Sequence, residues 1–404
     1  MLSHYTLNIS TKNFLIVLAT TILIVNNLTL RSEVIGFPFF MLYVILASNS
    51  IGCALFKNRQ GYSLDRMLMG LIVLLEIIMI LTGVPILLLI PLSESYMLFL
   101  LLIICLMTVF LNLMTSPCKE KGIREGDQIS NNNINHKLKL IIISSDALFF
   151  IVWIISLTIL VFSRTDRAIF SIWEVVPPIP LIVTLAILNT LFLIKVIFKE
   201  QFSRLLLFSF MITAIYSFAL IIVYAISFDP DIWSYLGWTI NVLRQGLIAK
   251  KPILSHTGYV GLLAFITKII APDLNWELVH DVVWTVTPLL NSIFIPFSIY
   301  MCLSQLLSSR ERNYIMAGVL SYGLFPLFWQ IGLGVGRIFC IPFYYISIYA
   351  CISFLKEKRI SNLLIAFSSA FSVFLAEVIT GVYVIASVIL CVIYRLLYGK
   401  KISN

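Results

Sequence analysis

Apolar residues in this chain run on for about twenty positions at a time, with polar residues gathered in the short stretches between. Such runs fall near 14–30, 34–56, 67–90, 96–115, 140–163, 179–198 and 204–227, and again near 280–306, 314–332 and 336–355. At the helical rise, a run of about 20 residues crosses the hydrocarbon of a bilayer. A last apolar region, 362–397, is too long for one untilted helix, and the AEVITG break at 376–381 divides it into two spans. The pattern predicts an all-α polytopic integral membrane protein with about twelve transmembrane helices. No small-residue cleavage site follows the first run, so it reads as a retained span and not as a signal peptide.

One stretch departs from this rhythm. Residues 228–279 form the only long segment between spans that carries order signals, and they open with FDPDIWSYLGWTINVLRQG. Asp229 is placed to cap a helix and Pro230 fits its first position, while Gly246 reads as the residue that ends it. Ile232, Leu236, Ile240 and Leu243 repeat at helical spacing, which makes this an amphipathic helix lying along the membrane interface, where Trp233, Tyr235 and Trp238 are at home. Lys250, Lys251 and Pro252 form a basic turn. A second interfacial helix follows over YVGLLAFITKII, and a third short piece, LNWELVH, leads into the eighth span.

Composition agrees with the pattern. Of 404 residues, 60% are hydrophobic and 12% charged, and the mean hydropathy is +1.02, more apolar surface than a soluble core absorbs. The net charge of +9 then points to loops held against anionic lipid and not to nucleic acid. With the N-terminus cytoplasmic, 20 of the 28 Lys and Arg fall on inward loops and ends, and four of the other eight lie in 228–279. This asymmetry sets both ends inside and 228–279 outside, in a plasma-membrane protein. The seven cysteines form no CxxC and read as small core residues. HExxH, Walker A and GxSxG motifs are absent, which disfavours a membrane protease, an ATPase or a hydrolase. Two modules follow: a six-span leader over 1–200, and 201–404 with the decorated loop.

The layout of span, acidic-aromatic helix, basic turn, second helix and span resembles the first external loop of the GT-C class of membrane glycosyltransferases. The resemblance is carried by FDPDIWSYLGWTINVLRQG, helped by HTGYVGLLAFITKI and AEVITG, and covers roughly the second half of the chain. The class includes protein mannosyltransferases and the catalytic subunits of oligosaccharyltransferase, and the six-span leader is similar to that of some archaeal members. The resemblance implies a GT-C-like core and inverting transfer of a sugar from a polyprenyl-phosphate carrier to a lipid, glycan or protein acceptor on the outer face. Such chemistry needs a base for the acceptor hydroxyl and cations for the leaving phosphate.

By its spacing to Trp233 and Tyr235, Asp231 matches the base best, with Asp229 second because of its DP dipeptide; a cap or dipole partner is the ordinary role of an Asp there. Arg244, Lys250, Lys251 and His256 are candidates for the lipid phosphate, with headgroup anchoring the plainer role of the lysines. Arg337, in GVGR, is an isolated outward cation, against ordinary snorkelling. Glu377 in AEVITG is placed to share the cavity of Asp231, and Trp233 and Tyr235 to contact substrate or simply to anchor the interface. The acidic pair that related chains carry in a later external loop is missing, which leaves a divalent metal open. No soluble domain follows the last span, which leaves acceptor recognition open, to a partner subunit or to a longer chain. Two other readings stand beside the enzyme. One is a transporter or flippase using Glu76, Asp146 and Glu377 as an ion path, against which the unmatched halves argue. The other is a non-catalytic membrane scaffold.

Overall fold

In the computed structural model, the described residues are 9–56, 63–114, 136–166, 172–197, 202–224, 230–248, 255–270, 276–306 and 339–398. Among them stand thirteen α-helices and no strand, apart from one isolated bridge between Thr165 and Tyr224. In chain order these are α1 (Ile9–Val25, extended by a π-turn at Asn26–Leu30), α2 (Glu33–Leu55), α3 (Ser63–Leu87), α4 (Glu94–Met114), α5 (His136–Phe162), α6 (Pro178–Ile197) and α7 (Phe202–Val223). Then come α8 (Pro230–Gln245), α9 (Thr257–Ile270), α10 (Trp276–Leu306), α11 (Ile341–Glu357), α12 (Ile360–Ala376) and α13 (Val378–Tyr398).

Nine helices among the described residues are long and apolar enough to cross a membrane: α1 with its π-turn, α2 to α7, α10 and α13. The protein is therefore an all-α, multi-pass, membrane-embedded chain. The expected span at 314–332 lies outside the described residues. α11 and α12 are shorter, at 17 residues each. The break expected in AEVITG is present: α12 stops at Ala376, Glu377 is extended, and α13 starts at Val378. On α6 and α13 the outward side chains, such as Ile179, Val183, Ile379, Leu390 and Leu396, are apolar and exposed, as a lipid-facing surface requires.

α9 departs from the sequence reading. Thirteen of its fourteen residues are buried, and it packs against α3, α8, α2, α12, α10 and α4. It is a helix inside the bundle, not one lying along the interface. The reason lies in its composition: a helix apolar on every side has no face to offer water and is enclosed by protein. Glycines permit the close approach. A Cβ added at Gly83 of α3 would lie 2.7 Å from the Gly258 Cα of α9. Polar groups close its far end. Asn27 of the π-turn donates to the Ile269 carbonyl (3.1 Å), and Lys268 pairs with Glu94 at 3.0 Å, a cation at the end of the helix that favours it.

A second local debt is settled nearby. Pro85 has no N–H, so the Leu81 carbonyl one turn back lacks its helical donor. The Tyr96 hydroxyl of α4 donates to that carbonyl at 2.6 Å. The turn between α3 and α4 then meets the end of α8, where the Leu92 N–H donates to the Gly246 carbonyl at 2.9 Å. The turns at 31–32 and 88–93 and the C-terminal ends of α8 and α9 thus lie together at one end of the bundle.

Candidate functional site

At that end α8 presents the expected amphipathic helix. It starts at Pro230 and ends at Gln245, with Gly246 at φ +75 as its left-handed terminator. Its buried face is formed by Ile232, Tyr235, Leu236, Thr239 and Val242, while Trp233, Ser234, Arg244 and Gln245 are exposed. This face docks on α9 and α10.

The docking builds an aromatic and imidazole cluster. Tyr235 Oη lies 3.2 Å from His256 Nδ1. The Trp238 ring stacks on the His256 ring at 5.7 Å and 18°. The Tyr259 ring meets Tyr235 edge-on at 5.0 Å, and its hydroxyl shares a 2.5 Å hydrogen bond with Thr287 of α10. His256 opens α9, its carbonyl accepting from the Val260 N–H at 2.9 Å. It does so at φ +68, a backbone cost for a non-glycine residue that recurs where side chains are held for function. Burial, reinforced by the neighbouring Tyr235, pushes the Tyr259 phenol far above its ordinary range despite the Thr287 bond. It therefore serves as a neutral hydrogen-bonding group.

The residues expected from the sequence do not all gather here. Tyr235 and His256 are in direct contact. Trp233 is exposed at 42%, yet its ring meets His280 of α10 at 5.7 Å. Glu377 is half-buried at the same end: its neighbour Leu375 packs against Gly258, and its carboxylate acts electrostatically on Cys340, next to Phe339, whose ring meets Tyr259 at 5.2 Å. Arg244 is elsewhere. It sits in the last turn of α8, 13 residues beyond position 231, or about 20 Å at the helical rise, so one compact site cannot hold both. Asp229, Lys250, Lys251 and Arg337 lie outside the described residues, and of Asp231 only the backbone is described. That backbone puts position 231 in the first turn of α8, one turn before Tyr235 on the docked face.

His280 was absent from the candidates drawn from sequence. It is buried, with Nδ1 3.4 Å from Asp281. The signal that could have found it is its spacing to Trp284, Thr287 and Asn291, which marks a polar stripe through an otherwise apolar run.

Two of the acids proposed for an ion path are engaged, each by different helices. Asp146 of α5 forms an ion pair with buried Lys195 of α6 and a looser one, 3.8 Å, with Arg204 of α7. Lys195 also donates to Ser145 at 2.9 Å and lies over the Phe208 ring. Glu76 of α3, fully buried, is bound by Ser369 and Ser368 of α12, the latter at 2.7 Å. Among the described residues no group of three His, Cys, Asp or Glu is placed to hold a metal ion. Comparison of the chain with models of protein families, with curated proteins and with solved structures returns no match.

Proposed function

We propose that the protein is a membrane glycosyltransferase of the GT-C type, moving a sugar from a polyprenyl-phosphate carrier to a hydroxyl-bearing acceptor at the outer face of the cell membrane. The observation that carries this reading is the docking of α8: its aromatic face meets an imidazole cluster at one end of an apolar bundle, and position 231 belongs to the first turn of the same helix. A lipid carrier reaches such a site from the bilayer, and a polar acceptor reaches it from water.

In the reaction the acceptor oxygen attacks the anomeric carbon while the bond from that carbon to the phosphate oxygen breaks. The electron pair leaves with the phosphate, and the acceptor proton passes to the Asp231 carboxylate, with Asp229 as the alternative base. Tyr235 and His256, fixed to each other and to Trp238, give hydrogen-bonding groups beside the reacting centre. Arg337, Lys250 and Lys251 are assigned to the phosphate, with a divalent metal or a partner subunit completing the site where needed.

The test is turnover by the purified chain in proteoliposomes, supplied with polyprenyl-phosphate-linked mannose, glucose or an amino sugar. Release of free polyprenyl phosphate that depends on the protein and on an added acceptor is expected. A preparation of folded protein that consumes none of the donors contradicts the reading.

A further inference from the structure

α10 enters the bundle beside the α8 cluster, and one of its faces is polar where burial is deepest. Positions 280, 284, 287 and 291 fall on that face at helical spacing. Thr287 is satisfied by Tyr259. The others are not: His280 Nε2, Trp284 Nε1 and both polar atoms of Asn291 are buried and meet no hydrogen-bond partner among the described residues. His280 is 8% exposed and Trp284 3%. Pro288 removes the helical donor of the Trp284 carbonyl. Each such group costs stability in the folded chain, and buried polar atoms are ordinarily paired.

We propose that His280 and Trp284 form a subsite for the hydroxyl groups of a sugar, walled on its outer side by the Trp233 ring. The two residues are one turn apart, about 6 Å along the helix, a separation that suits neighbouring hydroxyls of one ring. The set is neutral and mixed: an indole N–H donates, and an imidazole nitrogen donates or accepts. Hydroxyls, which donate and accept, match it; a phosphate, which only accepts and carries charge, does not. The exposed Trp233 indole, 5.7 Å from His280, supplies an apolar face for the ring carbons. Asn291 lies about 10 Å deeper, beyond the reach of the same ring. The inference rests on the transferase reading, and the sugar belongs to the donor or to a glycan acceptor.

The experiment measures binding to the full-length protein in detergent, not turnover. The probes are a short-chain polyprenyl-phosphate mannose, the same lipid phosphate without sugar, and a soluble mannose disaccharide. Wild type is expected to favour the mannosylated lipid over the bare one, or to bind the disaccharide; the first outcome assigns the subsite to the donor, the second to the acceptor. Trp284→Phe removes the indole N–H together with the pyrrole part of the ring. It should weaken whichever sugar interaction wild type shows by about two- to tenfold and leave affinity for the bare lipid phosphate unchanged, which also shows that the variant is folded. A sugar preference unchanged in Trp284→Phe overturns the proposal, as does a wild type with no sugar interaction. Sugar binding without any transfer would leave the subsite standing and defeat the transferase reading alone.

Discussion

Glu76 is the residue whose surroundings speak most directly to the choice between enzyme and ion path. Its carboxyl is fully buried in α3 and held by two serine hydroxyls of α12, with no cation against it among the described residues. An intramembrane acid is costly and calls for a reason. Here the reason is mechanical: Glu76 ties α3, the helix that carries α9, to α12, the helix that ends at Glu377. Glu76→Gln keeps an oxygen and an amide for the same serines, so it should leave activity intact and shift stability by less than about 1 kcal/mol. Glu76→Leu strands the Ser369 hydroxyl and should cost about 1–3 kcal/mol. Thermal unfolding in detergent reads the difference. A Gln variant that folds normally yet loses all function would return Glu76 to the status of a proton or ion carrier. Asp146, by contrast, is engaged by Lys195 and Arg204, and has the surroundings of a structural ion pair.

At the scale of elements, α8 and α9 show what a linear reading reaches. The bounds of α8 were legible because its stop and start signals are local: Pro230 suits only the first turn, and Gly246 adopts a left-handed conformation that other residues resist. A Cβ at Gly246 would also lie 2.7 Å from the Leu92 nitrogen. Gly246→Ala should therefore destabilise the protein by at least about 2 kcal/mol, from backbone strain plus the clash, and denaturant titration checks it; a neutral effect would mean that α8 ends differently. The enclosure of α9 was not legible, although its helical character was. Its apolar sequence fits an interface as well as an interior, and the choice is made by Gly83, Asn27 and Glu94, all far earlier in the chain. The polar stripe of α10 was missed for a related reason: a lone His at the start of a span looks like an interfacial residue until Trp284 and Asn291 prove to be buried without hydrogen-bond partners among the described residues.

For the whole molecule, the distribution of Lys and Arg predicts an orientation, and the contacts bring the turns at 31–32 and 88–93 and the ends of α8 and α9 to one end of the bundle. That end should be the outer one. Gln245 is exposed at the end of α8, so Gln245→Cys should react with an impermeant thiol reagent in intact cells, whereas Cys118, in the loop assigned to the cytoplasm, should react only after lysis. The reverse pattern would invert the protein and put the proposed site on the wrong side of the membrane for an external acceptor.

The central claim is that sugar transfer occurs at the acidic first turn of α8, and comparing two variants in one transfer assay tests it most directly. Asp231→Asn keeps the shape but cannot take the acceptor proton. Asp229→Asn keeps a cap, since Asn serves a helix start about as well as Asp. With each variant present in membranes at wild-type abundance, transfer from polyprenyl-phosphate sugar should be abolished by Asp231→Asn and nearly normal in Asp229→Asn. Loss confined to Asp229→Asn would move the base two residues back, and normal transfer by both variants would contradict the account.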